Sequence, residues 1–105
     1  MTTSLTFTSG PGPAGTVVVK AVGEIDMSNS DALAAALDDI PGRLVLDLTE
    51  VEYLDSAGLS VLFGHADRIE LVTTSLLEPV VAISGLAEMT TVRIVEDSSE
   101  HGRRP

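Results

Sequence analysis

Apolar residues recur along this chain at two spacings, and each change of spacing marks an element. Leu44-Val45-Leu46-Asp47-Leu48 is a compact apolar run closed by Asp and Thr, which predicts a buried strand to about residue 48. A short connection holding Val51 and Leu54 follows. Then Leu59, Leu62, Phe63 and Ala66 fall at i, i+3, i+4 and i+7, one face of a helix expected to end near Asp67-Arg68. Asp55-Ser56 sits where that helix begins, so a hydroxyl is presented at a helix N-terminus, beside an acid, at the exit of a strand. Upstream, Leu5-Thr6-Phe7-Thr8 alternates as a half-exposed strand does, residues 9–15 are rich in Gly and Pro and predict a turn, and residues 16–22 predict a β-branched strand pairing antiparallel with the first. The chain leaves that strand through Gly23-Glu24-Ile25-Asp26-Met27. Ser28-Asn29-Ser30-Asp31 then supplies helix caps, with Ser28 and Asp31 spaced as a capping box and Asn29 or Ser28 as the cap.

The helix over 32–39 puts Leu33, Leu37 and Ile40 on one face and stops at Pro41-Gly42. Residues 69–74 read as a strand. Ser75 is a cap for a third helix over 76–84, with Leu77, Val80, Val81 and Ser84 on one face and Pro79 tolerable in the first turn. Gly85 suits a C′ position, residues 86–89 suit one further turn, and residues 91–95 a last strand. The order is β-β-α-β-α-β-α-β. Three successive strand–helix–strand units imply an α/β open sheet, mostly parallel, with an antiparallel N-terminal edge strand. Residues 1–105 are expected to form one domain with its core at about 5–97, and 98–105 to be a frayed tail.

Composition narrows the function. Only three residues are aromatic, so the core must be aliphatic. Sixteen acids against six Lys and Arg give a net charge of −10, which argues against nucleic acid and against direct binding to an anionic membrane, and favours a basic protein partner. There is no Cys, hence no disulfide and no thiolate metal site. With neither a signal-peptide pattern at the start nor an apolar run of ~20 residues, a soluble cytoplasmic protein is expected. Catalysis finds little support. His65 lies nine residues after Ser56, about 13 Å along a helix, and His101 is in the tail, so a Ser–His–Asp triad is not expected. No phosphate-binding glycine loop, dinucleotide fingerprint or metal-ligand spacing is present, and no catalytic residue, metal or cofactor is assigned.

That leaves Asp55-Ser56-Ala57-Gly58-Leu59. Read plainly, Asp55 caps a helix and Ser56 is its first residue. Gly58 inside a first turn costs ~1 kcal/mol relative to Ala, and is better tolerated if something approaches the backbone closely there. A helix start with a hydroxyl, an open backbone and apolar neighbours suits docking and modification.

Asp-Ser-x-Gly-Leu after a Leu-Val-Leu-Asp-Leu strand resembles the STAS domain of anti-sigma factor antagonists. Gly23-Glu24-Ile25-Asp26 and Ser84-Gly85-Leu86 match two further segments of that family, in the right order. The resemblance spans roughly residues 5 to 97 and implies a STAS-like open sheet. It implies a partner, an anti-sigma factor that is also a serine protein kinase and is bound so that a sigma factor is freed. It implies Ser56 as phospho-acceptor, release on phosphorylation, and a serine phosphatase that restores binding. By the same resemblance the partner-binding surface holds Glu24, Asp26, Asn29, Asp55, Ser56, Ala57, Gly58, Leu59 and Ser60; Leu62, Phe63 and Ala66, on the helical face read above, are core and not contacts. Phosphate adds about −1.5 to −2 charges, which a helix N-terminus tolerates and a packed interface does not. The chain departs from the family in a helix after Ser56 about two turns shorter and in Pro79, which replaces a charged helix residue. A second reading is a STAS adaptor subunit of an ABC-type membrane transport complex, without phospho-regulation. An enzyme or small-ligand binder on a similar sheet is the third. Oligomeric state is left open.

Overall fold

Five strands lie side by side in chain order in a computed structural model that describes residues 4–96. They are β1 (Leu5–Pro11), β2 (Val17–Ile25), β3 (Leu44–Leu54), β4 (Ile69–Thr73) and β5 (Thr91–Ile94). β1 and β2 are antiparallel, and every later neighbour is parallel. The parallel connections carry α1 (Ser30–Asp38), α2 (Ser56–Gly64) and α3 (Glu78–Ser84). The α/β class, the element order and the antiparallel N-terminal edge agree with the sequence reading. The tail at 98–105, with His101, lies outside the described residues. Among those residues no helix is long and apolar enough to cross a membrane.

The period-two pattern decides which face is buried. The register Val19↔Leu46↔Leu71 sets one aliphatic row, and Val17↔Leu44↔Ile69 the next. These rows form one cluster with Leu33 and Leu37 of α1, Leu62 of α2, and Leu77, Val81 and Leu86 of the third connection. The opposite parity, Lys20↔Asp47↔Val72↔Arg93, faces away from the cluster. There Lys20 Nζ lies 2.8 Å from Glu50, and Arg93 pairs with Glu70. A fully buried Leu contributes about 1.5–3 kcal/mol, a surface ion pair about 0–1. The aliphatic rows, not the ion pairs, therefore hold the sheet to its helices.

Several boundaries differ from those expected. β1 continues through Ser9, Gly10 and Pro11, and only Pro13–Gly15 makes the tight turn. An edge strand tolerates Pro11 because one of its sides needs no ladder donor. β2 does not end at Gly23. It passes the N-terminal segment so closely that a Cβ at Gly23 (φ 126°) would lie 2.2 Å from the Ser4 carbonyl oxygen, and it ends on the fully buried Ile25. Residues 49–54 are strand rather than connection: Val51 pairs with Gly23 and Leu54 with Ile25. α2 stops at Gly64, not near Asp67-Arg68, and the buried Ala66 belongs to the turn that follows. α3 begins at Glu78. Ser75 does not cap it, since its hydroxyl donates to Glu96 at 3.2 Å, and Val80 is 37% exposed while Leu77 and Val81 are buried.

One polar contact ties α1 to α2. His65, the C-cap of α2, has Nδ1 2.8 Å from the Val61 carbonyl and Nε2 2.8 Å from the Asp38 carboxylate. Both partners accept, so both ring nitrogens donate only in the imidazolium form. The Val61 carbonyl, then Asp38, raise the His65 pKa above its ordinary 6.5, against partial burial and the nearby Arg68. A raised folded-state pKa gives stability that is complete below the unfolded value and is lost as pH rises through the folded one. Denaturant unfolding of wild type and Asp38→Asn between about pH 5.5 and 8.5 should therefore show wild type ahead at the acid end and the gap closing as pH rises. A gap that does not change with pH contradicts the link.

Candidate functional site

The two longest parallel strands end together. Ile25 pairs with Leu54, and the next backbone N–H, that of Asp55, donates to the Ile25 carbonyl at 3.2 Å. From there β2 enters a tight polar loop and β3 turns directly into α2, which sets Asp26 and Ser56 on either side of that bond.

Asp55 is extended (φ −101°, ψ −172°), as an N-cap must be. Its Oδ1 accepts from Ala57 N at 2.9 Å and Gly58 N at 3.1 Å, and its carbonyl accepts from Leu59 N at 2.9 Å. Ser56 is the first helical residue and is exposed, and no partner for its hydroxyl is present among the described residues. Gly58 is buried. A Cβ there would lie 2.6 Å from Leu54 Cδ1 and 2.7 Å from Ile25 Cγ2. The idea that Gly58 leaves its backbone open to an external group is thus corrected: the close approach comes from the core beneath.

The facing loop is held by its own side chains. Asn29 Oδ1 accepts from Asp26 N at 3.0 Å and its Nδ2 donates to the Glu24 carbonyl at 2.8 Å. Asn29 is the N-cap residue of α1, but its carbonyl, rather than its side chain, accepts from Ala32 N and Leu33 N. Ser28 donates from N and Oγ to the Asp26 carboxylate, at 2.9 and 2.6 Å, so the box expected with Asp31 gives way to a turn closed on Asp26.

Of the residues singled out in the sequence, Glu24, Ser56 and Ser60 are exposed, Asp26, Asp55, Ala57 and Leu59 half-buried, and Asn29 and Gly58 buried. Asn29 and Gly58 shape the surface from below. Met27 and Tyr53 were missed. They are 80% and 50% exposed, and Tyr53 pairs with Glu24. No alternation marks Tyr53: β3 buries Val51 and Leu54, three residues apart, and exposes both Glu52 and Tyr53 between them. Among the described residues no cluster of His, Asp and Glu could hold a metal ion. Both nitrogens of His65 are engaged by Val61 and Asp38, so among the described residues no histidine stands beside Ser56 as a base.

A family model described as "Mlab, STAS domain" matches residues 12–95. The anti-sigma-F factor antagonist RsfB of two Mycobacterium tuberculosis strains is 37% identical over 59 residues, covering 52% of this chain and 48% of the relative. The match therefore spans about half the length of those curated relatives. A crystal structure of an anti-sigma factor antagonist from Mycobacterium paratuberculosis superposes with a TM-score of 0.76 at 27% identity, over 97% of this chain and 96% of that one. An uncharacterized protein from Shewanella loihica with a SpoIIAA-like fold superposes with a TM-score of 0.57 at 16% identity, over 93% of this chain and 90% of that one, and shares the fold alone.

The cap geometry is directly testable. Asp55→Ala should lose about 1 kcal/mol of unfolding free energy in urea, while Asp55→Asn, which keeps an acceptor oxygen, should stay within a few tenths of wild type. Equal losses in both variants would mean that α2 needs the charge of Asp55 rather than its oxygen.

Proposed function

The chain belongs to the STAS-domain family, and on that premise we propose that it is an anti-sigma factor antagonist. It binds an anti-sigma factor that is also a serine kinase, thereby freeing a sigma factor, and phosphorylation of Ser56 ends the binding until a phosphatase removes the group. The protein is a binding module in this reading, not an enzyme. The observation that carries it is the placement of Ser56: exposed, first in α2, and one residue past an aspartate whose carboxylate already holds the amides of that turn.

That occupancy determines what a phosphate would do. A helix N-terminus attracts an anion through its unsatisfied N–H groups and its dipole. At α2 the Ala57 and Gly58 amides are engaged by Asp55, so a phosphate on Ser56 cannot take both without displacing the cap. It would project outward beside a like charge, into the space a partner must fill. The surface that partner meets holds Glu24, Asp26, Asp55, Ser56, Ala57, Leu59 and Ser60, with Met27 and Tyr53 as apolar flanks, and Asn29 and Gly58 positioning them from beneath. Its acids suit a basic partner surface. The cost comes from this chain's own side of the contact: an added phosphate that must be desolvated beside the Asp55 and Asp26 carboxylates costs several kcal/mol, enough to abolish a micromolar complex. Similarity to the anti-sigma-F factor antagonist RsfB and to the M. paratuberculosis anti-sigma factor antagonist favours this reading over a constitutive transport adaptor.

The test is a comparative capture from a lysate of the source organism, with wild type, Ser56→Ala and Ser56→Asp as baits. Wild type and Ala should retain a small ATP-binding serine kinase, and Asp should lose it by at least about tenfold. If all three retain the same proteins, Ser56 is no switch, and capture of ABC-type subunits by all three would point to the adaptor role.

A further inference from the structure

α3 is built differently from the other two helices. In α1 the large apolar residues, Leu33 and Leu37, are buried, and Asp31, Ala32, Ala35 and Asp38 face out. α2 buries Leu62 and exposes Ser56, Ser60 and Gly64. Around α3, Leu77 and Val81 are buried, yet the adjacent stripe is also apolar. Leu76, Val80 and Ile83 recur at i, i+4 and i+7 and are 63%, 37% and 88% exposed. Isolated exposed apolar residues need no explanation, but a stripe at helical spacing on a chain of net charge −10 does.

The stripe runs into a groove. β4 pairs with β3 only as far as Asp47↔Val72, whereas β3 continues to Leu54. Beyond that point, among the described residues, no strand lies on this side of β3. The notch left there has a volume of about 530 Å³ and is walled by Val22, Val51 and Leu76, with carboxylates from Glu50, Glu52 and Glu96. Leu76 belongs to both the groove and the stripe. Glu78 and Glu88, both exposed, add to the acidic margin. The one Lys or Arg between residues 69 and 96, Arg93, pairs with Glu70, and Lys20 pairs with Glu50.

We infer that Leu76, Val80, Ile83 and the adjoining groove are a docking surface for a helical segment of a partner protein, apolar on one face and basic along its edges. Leu76 to Ile83 spans about 10 Å, the length of two turns of a partner helix. The charge pattern selects this occupant over the alternatives. A second copy would set Glu78, Glu88 and Glu96 against the same acids, and an anionic bilayer would meet them too. This surface uses none of the residues proposed for the Ser56 switch, so either assignment can fail without the other.

The probes are two synthetic amphipathic peptides with identical leucine spacing, one with Lys and one with Glu at its polar positions, titrated into the ¹⁵N-labelled full chain. The Lys peptide should shift the amides of Leu76, Val80, Ile83 and Glu52, and should bind at least about tenfold more weakly to Leu76→Ser/Ile83→Ser. Both side chains are exposed, so that variant should keep the wild-type thermal midpoint; Ile83→Ser alone serves if it does not. The Glu peptide should not bind. The inference is overturned by shifts centred elsewhere on the chain, or by equal affinity in the variant. It is equally overturned by a concentration-dependent dimer in sedimentation that the variant abolishes, or by co-sedimentation with phosphatidylglycerol vesicles.

Discussion

The first turn of α2 rests on the ends of β2 and β3 with no space for a methyl group between them. Gly58 lies against Ile25 and Leu54, whose own pairing closes the sheet at that point. The Asp55 N–H to Ile25 carbonyl bond fixes where β3 stops, and the Asp55 carboxylate fixes where α2 starts. These contacts leave Ser56 no choice of position. It is the first side chain past the seam, on the outer surface of a turn that cannot settle closer to the sheet or lift from it without losing core contacts.

Around that seam the two chain paths are secured differently. α2 is capped by the side chain that precedes it. The loop leading to α1 is closed by the buried Asn29 and by Asp26, which bond its own backbone, so the neighbouring surface keeps its shape through polar contacts rather than apolar packing. The two Asn29 bonds specify one conformation, because breaking either strands an atom of a buried side chain without its partner. The far ends of the same helices are joined by the His65 contact, the polar link that responds to pH.

The strand core and the start of α2 were legible because both signals are local: a compact aliphatic run at 44–48, and Asp-Ser before a helical spacing. The continuation of β3 through residues 49–54 was not. Its register with β2 shifts twice, between Lys20 and Val22 and between Gly23 and Glu24, and Asp47 bonds Thr49 locally, so the period-two pattern is broken where the strand leaves β4 behind. The reason for Gly23 was hidden because the obstacle, the Ser4 carbonyl, belongs to a distant part of the chain. Gly58 was recognised as unusual for a first turn, but sequence could not say whether the close neighbour was a partner or the protein's own core. The outward stripe of α3 was hidden for a related reason: two adjacent apolar stripes look like one wide buried face until packing decides between them, which placed Val80 inside.

On the proposed function, a charge on Ser56 changes the surface and leaves the fold intact. The most direct test is amide hydrogen exchange on the protein with phosphoserine installed at position 56, compared with the unmodified chain. The Ala57 and Gly58 amides, bonded to Asp55, should stay protected, and protection in β2 and β3 should be unchanged. Loss of protection running from α2 into Ile25 and Leu54 would contradict it, and would mean that phosphorylation acts by opening the seam.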